Sequence, residues 1–250
     1  MRSVDELRAL VEDALAELSP AGPPGLDEAV RYALGGKRIR PVLCLAVGEA
    51  IGAEPEEVLP AACALELVHS FSLVHDDLPA LDDDDTRRGR PSTWAQFGES
   101  VAVLAGDALL VEAFRLALTY ETPAVARELA EATLGMIGGQ YLDVSGSADD
   151  LVALNRLKTG RLFEAAVALA LEVRGSEPQT WPTFGREVGA LFQLVDDLLD
   201  GDGSVLAVGE EETRRRADEA AERALTALAD LDADTSVLRG VVDGLARRTA

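Results

Sequence analysis

Two pairs of adjacent aspartates each end an apolar run that has helical spacing. Asp76-Asp77 stands in SLVHDDLPALD, and Asp196-Asp197 stands in FQLVDDLLD. The end of a core helix is an unfavourable place for a carboxylate, because losing water destabilises the charge unless a cation or hydrogen bonds compensate. Two such clusters, each carried by a core helix, predict a shared metal-filled cavity.

The donor atoms in these clusters favour magnesium. Oxygen-only ligands select a hard cation, and Mg²⁺ typically takes one or two carboxylates together with waters and substrate phosphates. Asp196 and Asp200 are four residues apart and share one helix face. Pro79 interrupts the first helix, so a local distortion must bring Asp82 back to its pair. The predicted Mg²⁺ ligands are Asp76, Asp77, Asp82, Asp196, Asp197 and Asp200.

The elements that position these residues are predicted to be helices. Apolar residues recur at helical spacing almost throughout, and alanine and leucine supply most of the apolar content. Helices are predicted over 4–18, 26–34, 41–51, 56–78, 99–119, 124–142, 149–173 and 182–200, with one or two more in 210–248. The 56–78 helix is apolar on most sides and should be central. No linker divides the chain, so we expect one all-α domain over 1–250.

Composition excludes some classes of partner. The net charge of −22 repels nucleic-acid phosphates and anionic lipid heads, so neither is an expected partner. No apolar run of about 18 residues is evident, so no membrane span is expected. Cys44 and Cys63 lie in apolar surroundings and are expected to be buried thiols. With an N-terminus that does not read as a signal peptide, this predicts a cytoplasmic protein.

The segment ALELVHSFSLVHDDLPALDDDDTRRGRPSTW resembles the first aspartate-rich region of the trans-prenyl diphosphate synthases. The four residues between Asp77 and Asp82 match the bacterial farnesyl and plastid-type geranylgeranyl branches of that family. GGKRIRP at 35–41 resembles the family's isopentenyl diphosphate loop. Four more segments follow in the family's order: AGDALL, GMIGGQYLD, LKTGRLFEAA and FQLVDDLLD. The resemblance covers about residues 25–200.

This resemblance implies an all-α fold around a deep cavity, usually in a homodimer. It implies a prenyltransferase that joins isopentenyl diphosphate to a short allylic diphosphate by Mg²⁺-assisted ionisation and condensation. The implied contacts to isopentenyl diphosphate are Lys37, Arg40, His69 and Arg88. The implied contacts to the allylic substrate are Arg87, Lys158, Thr159 and Gln193. Asp76, Asp77, Lys158, Thr159 and Asp196 are the implied catalytic residues, and the dipoles of Lys158 and Thr159 would stabilise the allylic cation.

The basic residues also make sense from their positions. Lys37 and Arg40 follow a double glycine, whose flexible loop can wrap a diphosphate with charged donors. His69 lies two helical turns before Asp76, so both can face one cavity. His75 is expected to be a packed histidine beside the site. Solvated charge is the expectation for Arg38 and Arg90.

Product length should depend on the floor beneath the first aspartates. Phe71 lies five residues before Asp76, which is about 7.5 Å along a helix, and Ser72 is its neighbour. A bulky ring there should block elongation, which favours farnesyl diphosphate over geranyl and geranylgeranyl diphosphates. An equal alternative is that Phe71 is ordinary core.

The chain departs from the family pattern after Asp200. The lysine-containing lid of the family is missing, and the arginines at 214–216 are better read as solvated charge than as its replacement. Two alternatives therefore stay open. A class I terpene cyclase would not need Lys37, Arg40 and His69 for a second diphosphate. A non-catalytic regulatory subunit would tolerate a lost lid, but would not need both aspartate clusters intact.

Overall fold

Helices form almost all of the regular structure in the computed structural model, which describes residues 1–18, 22–146 and 151–249. The helices are α1 (Val4–Glu17), α2 (Pro24–Ala33), α3 (Ile39–Ala50), α4 (Pro55–Asp76), α5 (Thr93–Phe97), α6 (Glu99–Ala117), α7 (Ala124–Val144), α8 (Leu151–Asn155), α9 (Arg161–Arg174), α10 (Trp181–Asp200), α11 (Gly203–Val208), α12 (Glu210–Ala229) and α13 (Ser236–Ala246). A π-helical turn (Arg156–Gly160) joins α8 to α9, a 3₁₀ turn (Arg247–Thr249) follows α13, and two short strands, β1 (Thr86–Arg87) and β2 (Arg90–Pro91), form a hairpin. The predicted all-α class is confirmed.

The helices begin where local chemistry satisfies their first backbone N–H groups. Ser3 and Glu6 form a capping box at the start of α1, and Glu54 and Glu57 form the equivalent pair at α4. Pro55 occupies the first turn of α4, where its missing N–H has no cost. These local signals fix where α1 and α4 start.

The helix α4 lies at the centre and carries the first aspartate cluster at its carboxyl end. It packs against α3, α6 and α9, and its buried residues include Leu65, Leu67 and Val68. By length and apolar content α4 could also cross a membrane, so the expectation that no such run exists is wrong for this helix. However, 67% of its apolar window is buried inside the protein, as in the core helix of a bundle.

The predicted boundaries differ from the structure at a few places. The predicted 149–173 helix is α8, the π turn and α9, although its first two positions lie outside the described residues. Helices α5 and α11 and the hairpin were not predicted, because five or six residues are too few to show a period. The arginines at 214–216 form ion pairs with glutamates of their own helix, α12.

Arg38 corrects an expectation, because it is buried rather than solvated. Its guanidinium is 4% exposed and donates hydrogen bonds to Glu66 at 2.7 Å, to Glu12 at 2.9 Å and to the Gly35 carbonyl at 2.7 Å. Its φ of 53° lies in the left-handed region that non-glycine residues rarely adopt. Burial raises the pKa of Glu66, and the Arg38 charge opposes that rise. The loop before α3 is therefore tethered to both α1 and α4.

Replacing Arg38 by Ala should lower the free energy of unfolding by about 3 kcal/mol or more, because Glu66 is then left buried without its partner. Urea unfolding at pH 7 measures this change. The double variant Arg38→Ala/Glu66→Gln should recover part of the loss, since it removes both charges. Arg90→Ala is the matched control, because Arg90 is exposed over the Tyr32 ring and should cost about 1 kcal/mol or less. Equal losses for the Arg38 and Arg90 variants would contradict the tether.

Candidate active site

A cavity of about 500 Å³ lies beside the carboxyl end of α4, between α4, α6, α7 and the π turn. Its apolar wall consists of Phe71, Leu81, Leu110, Met136, Ile137, Tyr141 and Val144. Its polar groups belong to Ser72, His75, Asp76, Asp107, Gln140 and Lys158. This volume and this mixture of an apolar wall with a few polar groups are typical of a small-molecule site.

Asp76 is the last residue of α4 and faces the cavity. Burial raises the pKa of its carboxyl group to about 6, with Lys158 opposing the rise and Asp82 adding to it. The Asp82 N–H donates to the Asp76 carbonyl at 2.9 Å. This contact supplies the local distortion that the sequence required, because the chain beyond Pro79 turns back towards the end of α4.

Asp77 differs from its neighbour, because it already has a partner. It is 2% exposed and accepts a hydrogen bond at 2.9 Å from Nε of Arg87. Arg87 also donates to Asp84 at 3.1 Å. The structure therefore pairs a predicted metal ligand, Asp77, with a predicted substrate contact, Arg87.

In the second cluster, too, one aspartate has hydrogen-bond partners, whereas the other two have none among the described residues. Asp196 and Asp200 are exposed, and burial followed by the Asp200 charge raises the pKa of Asp196. Asp197 is 2% exposed and accepts hydrogen bonds from Nε2 of Gln193 at 2.7 Å and from the Ser204 N–H at 2.8 Å. Gln193 and Asp197 thus bond to each other, and Asp197 also holds the first turn of α11.

Arg40 is a buried cation without an anionic partner among the described residues. Its guanidinium carbon lies 4.7 Å from the centre of the Phe163 ring and 5.5 Å from that of Phe192. Its Nε is buried with no hydrogen-bond partner. Burial lowers the pKa of Arg40 to about 10, although the charges of Glu66 and Asp196 oppose this. A buried, unpaired guanidinium is a strong candidate for binding an anion.

The other predicted diphosphate residues surround the same loop. Burial, and then the charges of Arg40 and Arg88, hold the pKa of His69 well below its ordinary value. The Arg88 guanidinium lies against the loop backbone, where a Cβ on Gly36 would come within 2.7 Å of it. Lys37 is exposed, and within the described ranges it has no hydrogen bond or ion pair. Lys37 and Arg40 therefore present positive charge that forms no ion pair among the described residues, although the charges of Glu66 and Asp196 act on Arg40.

The π turn places Lys158 beside the cavity, whereas Thr159, the next residue of the turn, is not among the residues that line it. Helix α7 approaches the turn so closely that a Cβ on Gly139 would lie 2.6 Å from the Lys158 backbone nitrogen. The Lys158 ammonium is 2.5 Å from an Asp143 carboxylate oxygen, and its side chain also lines the cavity. Single π turns within helices are frequently found at functional sites.

Phe71 and Ser72 lie in the cavity wall one turn before the end of α4. Phe71 is 7% exposed, and its ring meets that of His75 edge to face with centroids 4.9 Å apart. Nε2 of His75 lies 3.1 Å from the Val103 carbonyl, and the ring sits directly over Gly106, which has no room for a Cβ. His75 is therefore packed between α4 and α6, as expected.

Gln140 is a site residue that the sequence analysis did not single out. Both polar atoms of its amide are buried without a hydrogen-bond partner among the described residues, and the side chain lines the cavity. It stands in GMIGGQYLD, a segment that the family resemblance did mark. The missing hydrogen bonds leave this amide available to a bound molecule.

The aspartates fit magnesium that is shared with a substrate. Among the described residues, no three Asp, Glu, His or Cys side chains gather closely enough to hold an ion alone. Mg²⁺ does not require such a cage, since it usually keeps waters and binds substrate phosphates. Burial raises the pKa of Asp76 and of Asp196, and neither carboxylate has an ion-pair partner among the described residues. Asp76, Asp82, Asp196 and Asp200 are the ligands that the structure leaves open.

Asp76→Asn should make the metal-free protein more stable at pH 7.5. Because the pKa of Asp76 is about 6 in the folded state and about 3.9 when unfolded, the folded state binds more protons between these values. Stability from this group therefore falls as the pH rises from about 4 to 6, and the charged form is unfavourable above that. We expect a gain of about 1 kcal/mol in thermal unfolding in EDTA, a value reduced for partial exposure.

The gain should disappear near pH 4, where Asp76 is protonated in the folded protein. Asp83→Asn, which neutralises an exposed neighbouring carboxylate, is the matched control and should change little. An Asp76→Asn variant that is less stable than the unmodified protein at pH 7.5 would refute the raised pKa.

The chain matches known proteins over most of its length. It is 45% identical over 216 residues to the heterodimeric geranylgeranyl pyrophosphate synthase large subunit 1 of Arabidopsis thaliana, an alignment that covers 76% of this chain and 58% of that protein. The geranylgeranyl diphosphate synthase of Cyanophora paradoxa is 41% identical, with 78% of this chain and 72% of that protein covered. The chain thus spans little more than half the length of the Arabidopsis relative.

A solved structure extends the likeness to the whole fold. The geranyltranstransferase of Thermotoga maritima superposes with a TM-score of 0.86 and 32% identity, covering 98% of this chain and 96% of that one. Residues 23–218 also match the family described as polyprenyl synthetase. The chain therefore belongs to the polyprenyl synthetase family.

Proposed function

We propose that the protein is a short-chain trans-prenyl diphosphate synthase that joins isopentenyl diphosphate to an allylic diphosphate. The observation that carries this proposal is that the protein has two different groups of residues able to bind a diphosphate, the first of which includes Asp76 in the wall of the apolar cavity. One is the set of open aspartates, which needs cations. The other is the unneutralised positive charge of Lys37 and Arg40 next to His69. A reaction between two diphosphates needs both.

The allylic diphosphate would bind at the open aspartates with Mg²⁺. Bound Mg²⁺ supplies positive charge that stabilises the diphosphate as it leaves. Asp77 and Asp197 support this site from behind, since their hydrogen bonds fix the end of α4 and the start of α11. Lys158 is close enough to Asp76 to affect its pKa, and its ammonium can bind the same diphosphate.

Isopentenyl diphosphate would bind at the loop before α3. Arg40 is already buried and ordered in the free protein. A diphosphate that binds there would therefore gain a charge-assisted hydrogen bond without the entropy cost of ordering the Arg40 side chain. Arg88 and Lys37 approach from the exposed side. His69 is neutral in the free protein, and a neighbouring diphosphate would raise its pKa and make it a second donor.

The apolar wall then serves the carbon chemistry. The double bond of isopentenyl diphosphate attacks the allylic cation, and the departed diphosphate removes the proton that is lost. Water must be excluded, because it would capture the cation. The Gln140 amide lines the cavity and would offer a dipole to this step, and the family resemblance implies the same role for Thr159 in the π turn.

Product length has two candidates. The ring of Phe71 in the cavity wall favours farnesyl diphosphate, because it narrows the space below Asp76. The names of the two curated relatives favour geranylgeranyl diphosphate. Product analysis separates these candidates.

A second chain should cover the apolar face of α6 and α7. Seven large apolar residues of these two helices are exposed, and so is Leu118 directly after α6; the seven are Val103, Leu104, Val111, Leu134, Ile137, Tyr141 and Val144. Exposed apolar patches of this kind mark protein interfaces. We propose a homodimer, which the molar mass in solution tests, while the relative named as a heterodimer subunit makes a different partner chain the other outcome.

The two buried thiols agree with an enzyme of the cytoplasm. Cys44 and Cys63 are free, and burial raises the pKa of both, so neither is a reactive thiolate at neutral pH. We propose this location because such thiols gain nothing from an oxidising compartment.

Lys37→Ala and His69→Ala test the synthase against a terpene cyclase. Each should raise the apparent KM for isopentenyl diphosphate about tenfold or more, since each removes a charge-assisted hydrogen bond. The KM for the allylic substrate should change less than about twofold. Steady-state kinetics with Mg²⁺ and each allylic diphosphate measures both constants, and Arg90→Ala is the control. Product formed without isopentenyl diphosphate would identify a cyclase instead, and no turnover with any primer would favour a regulatory subunit.

Phe71→Ala tests the floor of the cavity. The smaller side chain leaves room for more carbon atoms, whose burial is favourable by about 0.8 kcal/mol per methylene. The main product should therefore become one or more isoprene units longer, as measured by chromatography. Phe97→Ala removes a ring that packs against Tyr32 outside the cavity, so its product should be unchanged. If Phe71 is ordinary core, its variant will lose stability and keep the original product.

A further inference from the structure

The π turn that carries Lys158 has a backbone conformation that its surroundings have to favour. The Arg161 N–H donates to the Arg156 carbonyl, five residues earlier, so this turn holds one residue more than an α-helical turn. Such turns are rare and usually occur singly within α-helices. A less favourable local conformation persists only where the neighbouring structure stabilises it.

Two glycines let the turn fit closely between α7 and α10. A Cβ on Gly139 of α7 would lie 2.6 Å from the Lys158 backbone nitrogen, and one on Gly189 of α10 would lie 3.1 Å from the Gly160 Cα. Asp143 follows Gly139 by four residues on the same face of α7, and one of its carboxylate oxygens is 2.5 Å from the Lys158 ammonium. Helix α7 therefore contacts both the backbone and the side chain of Lys158.

An ion pair reaches across the whole turn on another side. Arg156 begins the turn, and its Nε and Nη2 donate to Oε1 and Oε2 of Glu164 at 2.8 Å and 3.5 Å. Glu164 lies in the first turn of α9, eight residues further on, and its carboxylate is also 3.6 Å from the Arg161 guanidinium. The Glu164 side chain is 15% exposed and that of Arg156 is 59% exposed. Two parallel hydrogen bonds restrict the direction as well as the distance between the partners. The pair therefore restrains the segment between them.

This ion pair lies away from the proposed reaction. Neither Arg156 nor Glu164 lines the cavity, and both line a separate groove of about 200 Å³ between α7, α9 and α10. Any effect of the pair on the reaction must therefore pass through the turn that it spans.

We propose that Arg156 and Glu164 are positioning residues, which keep the π turn in the shape that directs Lys158 to the cavity. Without the pair, the turn can relax towards a regular α-helix, and the loss of one residue from the turn rotates its side chains by about 100°. Lys158 would then leave Asp143 and the cavity wall. The consequence for the reaction rests on the proposed function, in which Lys158 binds the allylic diphosphate.

The lysine signals of metal-free protein labelled with carbon-13 lysine test the position of the turn. The chain has only two lysines, Lys37 and Lys158, so Lys37→Arg assigns both signals. Arg156→Ala and Glu164→Ala should each shift the ε-carbon signal of Lys158 in the same direction and leave that of Lys37 in place. Loss of a nearby charge alone would shift it in opposite directions, because one variant loses a cation and the other an anion. Arg215→Ala is the matched control, since Arg215 is similarly exposed and pairs with glutamates of α12.

Steady-state kinetics then connects the turn to the reaction. In Arg156→Ala the apparent KM for the allylic diphosphate should rise about fivefold, a factor that one exposed ion pair can supply. The KM for isopentenyl diphosphate should change less than about twofold. A partly unfolded variant would instead have a lower kcat with both KM values unchanged.

Three results would overturn the inference: an unshifted Lys158 signal, shifts of opposite direction in the Arg156→Ala and Glu164→Ala variants, or the same change in both KM values. Because Arg156 is largely exposed, its variant should fold even if Glu164→Ala does not. Absence of turnover with any allylic diphosphate would reject the proposed function alone, since the lysine spectra still decide whether the pair positions Lys158.

Discussion

The cost of holding carboxylates at the ends of buried helices governs this structure. At α4 and again at α10, two adjacent aspartates leave the apolar interior together, and the protein compensates only one of each pair. Asp77 receives Arg87, and Asp197 receives Gln193 and the Ser204 backbone. Asp76 and Asp196 have no ion-pair partner among the described residues, and burial raises the pKa of both, as it also raises that of Asp77. An incompletely compensated carboxylate is a favourable partner for a cation.

The two arginines at the start of α3 differ in the same way, since one has anionic partners and the other has none. Arg38 is fully paired and fixes the backbone in a left-handed conformation, whereas Arg40, two residues later, is buried against aromatic rings without an anion. One arginine supplies stability and the other remains available. Since both lie in one short segment, the rigidity of the first positions the second. Preorganisation of this kind lowers the cost of binding a diphosphate.

The sequence predicted the helices and the open aspartates because these depend on local rules. Periodic apolar residues determine a helix, and a carboxylate at its end is visible from spacing alone. Burial of Arg38 could not be predicted, because its partners Glu12 and Glu66 are distant in the chain. The unpartnered amide of Gln140 was equally hidden, since a missing hydrogen bond is a property of the packed structure. The π turn escaped as well, because its residues read as a continuous helical pattern.

The central helix α4 carries Glu66, His69, Phe71 and Asp76. Glu66 pairs with Arg38 and Phe71 lies in the cavity wall, while His69 and Asp76 are the proposed contacts to a diphosphate and to Mg²⁺. At 1.5 Å per residue, about 15 Å separate the first of these from the last, and one rigid rod sets every interval between them. Substitution of any one side chain leaves the other three in place. Insertion of one residue would instead rotate everything beyond it by about 100° and displace all the later groups together. This segment can therefore diversify by exchange of side chains, while its length is fixed by the geometry of the rod.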